Sequence, residues 1–131
     1  IKNPIFRGGG RVFGPRVRDY SQKINKKLKS IARKSALSIK ARSNSIFVVE
    51  EFSFDKPSTR GLDQFLKVLK TGTKNSLLVF AEENKNVYLS TRNLKKAESV
   101  IACELNTYKI SKAQILVLFE NSISELEKLL N

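Results

Sequence analysis

SIFVVEEFSFDKPSTRGLDQFLKVLKTGTKNSLLVFA, residues 45–81, reads as strand, helix, strand. Ile46–Glu50 is a β-branched and aromatic run. After Pro57 the pattern predicts a helix over Ser58–Lys70, with Leu62, Phe65, Leu66 and Leu69 on its inner face. Leu77–Ala81 is a second short apolar run. Both runs are continuously apolar rather than alternating, which is the mark of strands covered on both faces. A helix between two such strands predicts a parallel pair with the helix packed against the sheet.

The alternation continues toward the C-terminus. Asn86–Asn93 is predicted as a short helix or turn, Val100–Cys103 as a third strand and Ile115–Phe119 as a fourth. Ser122–Leu130 is predicted to close the chain as a helix. Ser122 and Glu125 have capping-box spacing there, and Ile123, Leu126, Leu129 and Leu130 face inward. The expected fold class is α/β: one layered domain around a parallel sheet with right-handed crossovers. No internal repeat is present.

In the other direction, Asn25–Arg42 has helical spacing, with Asn25 as the expected N-cap. Ile24, Leu28, Ile31, Ala32, Ser35 and Ile39 make one apolar stripe. Lys26, Lys27, Lys29, Arg33, Lys34 and Lys40 fall on the opposite side. Leu37 lies inside that cationic side, so a second face of the helix is expected to touch protein. Upstream, Ile1–Lys23 has no hydrophobic period, and Gly8, Gly9, Gly10, Gly14, Pro4 and Pro15 exclude a normal helix.

Charge divides the chain in the same place. Residues 1–42 hold thirteen basic residues and one acid, Asp19, whereas residues 43–131 hold twelve bases and eleven acids. Nearly all of the net charge of +13 therefore sits on the first third. Such a segment calls for a polyanion, and nucleic acid is the usual one, because each phosphate contact releases a condensed counterion. Arg7, Arg11, Arg16 and Arg18 are set among Phe6, Phe13 and Tyr20. Guanidinium forks grip phosphate, glycine lets backbone approach it, and rings stack on exposed bases. The expectation is an arm that orders on RNA. The basic helix should extend that surface, since no acid within it can form i,i+4 pairs.

Several chemistries are excluded. The chain has no histidine, so it cannot build a Ser-His-Asp triad, a Cys-His dyad or a histidine metal site. Gly8, Gly10 and Gly14 do not have dinucleotide-loop spacing, no strand precedes them, and the lysine of a P-loop is missing. Glu50, Glu51 and Asp55 follow the first strand, where α/β enzymes often place acids, yet no basic partner accompanies them. They are expected to be solvated loop residues. Catalytic residues, metal ligands and cofactors are therefore not expected. The alternative, a small α/β nucleotide-binding domain or enzyme with a basic nucleic-acid-binding tail, lacks these motifs. A free nucleic-acid-condensing protein would account for the charge alone. Cys103 is the single cysteine, which suits a reducing compartment, and a buried structural thiol is expected. No apolar stretch approaches the ~18 residues of a membrane span, and no signal-peptide core is present, so no membrane partner is expected. The chain has no methionine and opens on Ile1, so it is expected to be a piece of something longer.

Residues 1–27, IKNPIFRGGGRVFGPRVRDYSQKINKK, closely resemble bacterial large-subunit ribosomal protein four. Pro4, Arg7, Gly9, Gly10, Phe13, Asp19, Ser21, Lys23, Asn25, Lys26 and Lys27 match that family's arm, and Lys34-Ser35 its helix. Val48-Val49, Phe52, Pro57-Ser58-Thr59, Leu89–Leu94 and Asn106-Thr107-Tyr108 resemble its later signatures in the same order. The RGGGRVFGPR form and the LNTY segment look most like the Bacteroidetes branch. The resemblance implies a three-layer α/β/α domain with four parallel strands in the order 1-4-2-3 and an extended basic N-terminal arm.

The resemblance also implies a structural, non-catalytic role in the large ribosomal subunit of the cytoplasm. The implied partners are large-subunit rRNA, neighbouring large-subunit ribosomal proteins and, in some members, the leader of their own messenger. The family's arm tip lines the peptide exit tunnel, and its N-terminal helix would pack beside helix 25–42. Residues 1–24 are then the returning limb of the arm, and 25–131 the globular domain. Leu28, Ile31, Ala32 and Ile39 would be only partly covered by residues 43–131. The expected RNA-binding residues are Lys2, Arg7, Gly8, Gly9, Gly10, Arg11, Phe13, Arg16, Arg18, Tyr20 and Lys23 in the arm, then Lys26, Lys27, Lys29, Arg33 and Lys34 on the helix.

Overall fold

A computed structural model describes residues 2–69, 71, 72 and 74–130. After a segment without helix or strand, the elements run α1 (Lys26–Arg42), β1 (Ile46–Val49), α2 (Thr59–Val68), β2 (Ser76–Phe80) and α3 (Lys85–Thr91). They continue as β3 (Ala97–Ile101), a 3₁₀ turn (Ala102–Glu104), α4 (Thr107–Lys112), β4 (Ile115–Phe119) and α5 (Glu120–Leu130). The sheet is parallel throughout, in the order β1-β4-β2-β3. β4 pairs Ile46 with Leu116 on one side and Ser76 with Ile115 on the other. The expected α/β class and strand order are both found.

Two cores flank the sheet, and the strands feed them by alternation. Leu77, Val79, Leu116 and Leu118 point to one side, where Ala36, Ile110 and Leu126 of α1, α4 and α5 meet them. Leu78, Phe80, Ile115, Val117 and Phe119 point to the other, against Leu62 and Leu66 of α2 and Val87 of α3. This is the three-layer arrangement. The central strands β2 and β4 are buried along their whole length. β1 is an edge strand, and Phe47 and Val48 are exposed, so its apolar run is not covered on both faces as the sequence suggested. Phe52 lies beyond the end of β1 and contacts Phe54, Phe65 and Phe119 at ring-centroid distances of 5.1, 4.7 and 5.3 Å. Phe80 stacks on Phe119 at 4.2 Å.

Side chains fix where the helices begin. Ser58 accepts the Gly61 N–H at 3.1 Å, so α2 starts one residue later than predicted. Lys70, its expected last residue, lies outside the described residues. Asn84 and Asn106 cap α3 and α4 in the same way, through the N–H groups of Val87 and Lys109. α4 was not predicted.

Further expectations are corrected. β3 begins at Ala97, three residues before the predicted strand, and Cys103 falls in the 3₁₀ turn that follows it. That turn directs Ala102 inward and leaves Cys103 exposed rather than buried. α5 starts directly after β4, so Ser122 is inside the helix and its hydroxyl donates to the Phe119 carbonyl at 2.6 Å instead of capping. Asn25 stands at the N-cap position of α1 but makes no capping hydrogen bond.

The last correction concerns α1. Its expected apolar stripe points away from the sheet, with Leu28, Ile31 and Ile39 56–61% exposed. The helix docks through the face that holds Leu37, with Ala36 buried and Arg33 and Lys40 half-buried. Lys40 Nζ donates to the Ala113 carbonyl at 2.5 Å and Ser30 Oγ to the Leu130 carbonyl at 3.4 Å. Helical periodicity identified the stripe, but periodicity alone cannot say what covers it. The second face anticipated at Leu37 is the one that anchors the helix. The expectation that Leu28, Ile31 and Ile39 are poorly covered by residues 43–131 agrees with their exposure.

Candidate nucleic-acid interface

The arm begins with a closed turn. Phe6 N–H donates to the Asn3 carbonyl at 3.1 Å, Gly9 N–H to the Phe6 carbonyl at 2.9 Å, and Gly10 N–H to the Lys2 carbonyl at 3.0 Å. Gly8 supports the reversal with φ +71°. Gly9 is required by space: a Cβ there would lie 1.9 Å from the Asn3 carbonyl oxygen. Arg7 and Lys2 are exposed on this turn. The glycines that the sequence reading assigned to phosphate approach therefore also build the turn that presents these cations.

Downstream, the arm's aromatic and cationic groups alternate in the open. Phe13 is 95% exposed at a positive φ of 52°. Arg18 lies over the Tyr20 ring, 4.5 Å from its centroid, and its Nε donates to the Tyr20 hydroxyl at 2.5 Å. Asp19 is the arm's only acid, and it is turned onto its own backbone. It accepts the Ser21 N–H at 2.8 Å and the Ser21 hydroxyl at 2.7 Å. Those bonds, the backbone one first, hold the Asp19 carboxyl below its usual range. The acid is thus engaged locally, and Arg7, Arg11, Arg16 and Arg18 make no ion pair among the described residues.

On α1, Lys26, Lys27, Lys29 and Lys34 are exposed. Arg33 departs from that group. It is half-buried and lines a small apolar hollow with Leu37, Leu105, Ile110 and Leu129, and its buried Nε has no hydrogen-bond partner among the described residues. The structure therefore brings the arm residues and four of the five helix cations to solvent, and it turns Arg33 toward the protein. Glu50, Glu51 and Asp55 are exposed, and Asn121 Nδ2 donates to Glu51. Among the described residues no group of three or more Asp, Glu or Cys has metal-ligating geometry.

The sequence matches the ribosomal protein L4/L1 family over residues 1–129. It is 54% identical over 131 residues to the large ribosomal subunit protein uL4 of Christiangramia forsetii, which covers all of this chain and 63% of the relative. It is 52% identical over 128 residues to that of Flavobacterium johnsoniae, covering 98% of the chain and 61% of the relative. The chain belongs to the ribosomal protein L4/L1 family. A third member, from Phocaeicola vulgatus, is 50% identical across the whole chain and again 63% covered. The chain thus spans about three-fifths of the length of these relatives. The resemblance that began with residues 1–27 extends over the whole family match.

One feature of the family domain escaped the sequence reading. Residues 43–131 are nearly neutral in sum, with twelve bases and eleven acids. In the fold they are separated. Six bases stand before the strands and six glutamates directly after them, and parallel pairing brings each set to its own edge, where Lys56, Arg60 and Lys85 offset only part of the acidic one. Comparing the charge just before each apolar run with that just after it would have revealed the pattern.

Proposed function

We propose that this chain is a structural, non-catalytic component of the large ribosomal subunit that binds large-subunit rRNA. Residues 1–24 act as the RNA-binding arm and residues 25–131 as the globular domain that anchors it. Lys2, Arg7, Arg11, Arg16, Arg18 and Lys23 contact phosphate and sugar, with Gly8, Gly9 and Gly10 shaping the turn that carries the first of them. Phe13 and Tyr20 supply faces for unstacked bases. Lys26, Lys27, Lys29 and Lys34 extend the surface along α1. Arg33 contributes charge from behind this line, since its side chain is committed to the helix interface.

The observation that carries this reading is an exposed arm whose basic residues make no ion pair among the described residues and whose single acid is bonded to Ser21. Family membership directs the choice of RNA. On this reading the tip of the arm lies along the peptide exit tunnel. Family membership also makes neighbouring subunit proteins the natural protein partners and the cytoplasmic ribosome the site of action. An arm built for phosphate and unstacked bases would also accept a structured leader of its own messenger.

Equilibrium titration of the 131-residue chain tests the reading. It should bind a large-subunit rRNA transcript saturably, with affinity falling steeply as salt rises, and should bind neither ATP nor NAD. Saturable ATP or NAD binding without RNA binding would overturn it in favour of a nucleotide-binding domain.

A further inference from the structure

Arg42 stands before β1, Lys74 before β2, Lys95 and Lys96 before β3, and Lys109 and Lys112 before β4. Glu50 and Glu51 follow β1, Glu82 and Glu83 follow β2, Glu104 follows β3, and Glu120 follows β4. All three strand pairings are parallel. The four beginnings therefore lie along one edge of the sheet and the four ends along the opposite edge. The globular domain has a positive edge and a negative edge although its sum is near zero.

The positive edge is open. Arg42, Lys74, Lys95, Lys96 and Lys112 are exposed and Lys109 is half-buried. Two hollows of about 250 and 230 Å³ lie side by side there and share Lys95, Lys96 and Ala97 as walls. The acids lining them are already engaged. Glu98 is shared between Lys109 and Lys112 at 3.5 Å each, and Asp63 pairs with Lys67 at 2.6 Å. Glu98 stands between two ammonium groups, and Arg42, Lys74 and Lys95 make no ion pair among the described residues, so the edge keeps a cationic excess.

We propose that this N-terminal edge of the sheet is a second surface for the sugar–phosphate backbone of large-subunit RNA, separate from the arm and α1. The proposal rests on the reading that the chain binds rRNA. Four strands spread the cations over about 14 Å, too wide for one phosphate and suited to several along a backbone. No aromatic ring lines either hollow, so nothing there is placed to stack on a base. Contacts at this edge would position the RNA without reading its sequence. The glutamates at the far edge repel the same backbone, so the domain's field turns its positive edge toward RNA during encounter.

The test compares salt slopes of binding to one large-subunit rRNA transcript, using the full 131-residue chain. The variant K74Q/K95Q/K112Q neutralises the edge at exposed positions. The variant K56Q/R60Q/K85Q removes the same charge from exposed positions after β1 and β2. The variant R7Q/R11Q/R16Q/R18Q neutralises the arm. Thermal melting confirms that each is folded. The edge variant should have a slope shallower by about 2 log units per log salt, and the far-side variant should keep the parent slope. Equal losses in both would mean diffuse charge and would overturn the edge site. A parent-like slope for the edge variant with a shallower arm variant would also overturn it, while leaving the arm reading intact. A slope unchanged in all three would remove the RNA-binding reading and this proposal with it.

Discussion

Lys40 Nζ donates to the Ala113 carbonyl oxygen at 2.5 Å, tying the last turn of α1 to the chain as it enters β4. Ala113 is buried, so its carbonyl has little access to water if the lysine is lost. Lys40→Met keeps much of the stem but removes the donor. It should cost about 1–2 kcal/mol and lower the melting temperature by roughly 5 °C. An unchanged melting curve would show that α1 is held by packing alone.

The outward face of α1 should behave oppositely. Leu28, Ile31 and Ile39 are exposed, so L28Q/I31Q/I39Q should leave the melting temperature nearly unchanged. The same change should reduce concentration-dependent association in sedimentation velocity, because it removes a contiguous apolar surface. Ala36 lies on the docked face, and Ala36→Asn should destabilise by about 1–3 kcal/mol. If the triple variant melts far below the parent, the outward assignment is wrong.

These contrasts also show what the sequence could reveal. β2 and β4 were legible because they are uninterrupted apolar runs in a fully buried sheet centre. β3 was displaced because Glu98 and Ser99 interrupt its apolar pattern at the sheet edge, where polar side chains are tolerated. α4 was missed because six residues with one buried side chain, Ile110, give no measurable period. The arm's cations were plain from composition. The destination of Arg33 was not, since a guanidinium on a long apolar stem can lie along protein as readily as reach for phosphate. The charge separation across the sheet needed the topology, because counting bases and acids discards their order.

The turn at the start of the arm has its own test. A Cβ at position 9 would collide with the Asn3 carbonyl, so Gly9→Ala should open the closure between Lys2 and Gly10. Amide chemical shifts of residues 2–10 should move toward random-coil values while global stability holds. Affinity for rRNA should fall, since the cations would no longer be presented together. Native-like shifts in the variant would mean the turn tolerates the side chain.

Asp19 provides the pH test. Its carboxyl is held below the usual range by the Ser21 N–H and hydroxyl, so its ionised form is favoured by the local structure. The sign follows: this contribution is present above the ordinary carboxylate range and is lost as pH falls through the lowered value. An NMR titration should find Asp19 ionising at lower pH than an unstructured aspartate. Asp19→Asn should abolish the associated Ser21 shift. A normal Asp19 titration would rule out the Asp19–Ser21 hydrogen bonds in solution. The chain has no histidine, so rRNA affinity at fixed salt should be flat between about pH 5.5 and 7.

The central claim is that the arm and the exposed side of α1 meet large-subunit rRNA. Ultraviolet crosslinking of the 131-residue chain to that RNA, followed by peptide mass spectrometry, tests it most directly. Crosslinks should be strongest within residues 2–24, with Phe13 and Tyr20 foremost, and should continue through Lys26, Lys27, Lys29 and Lys34, with any at the sheet edge around Lys74, Lys95 and Lys112 additional to these. A crosslink map confined to residues 43–131 would contradict the account.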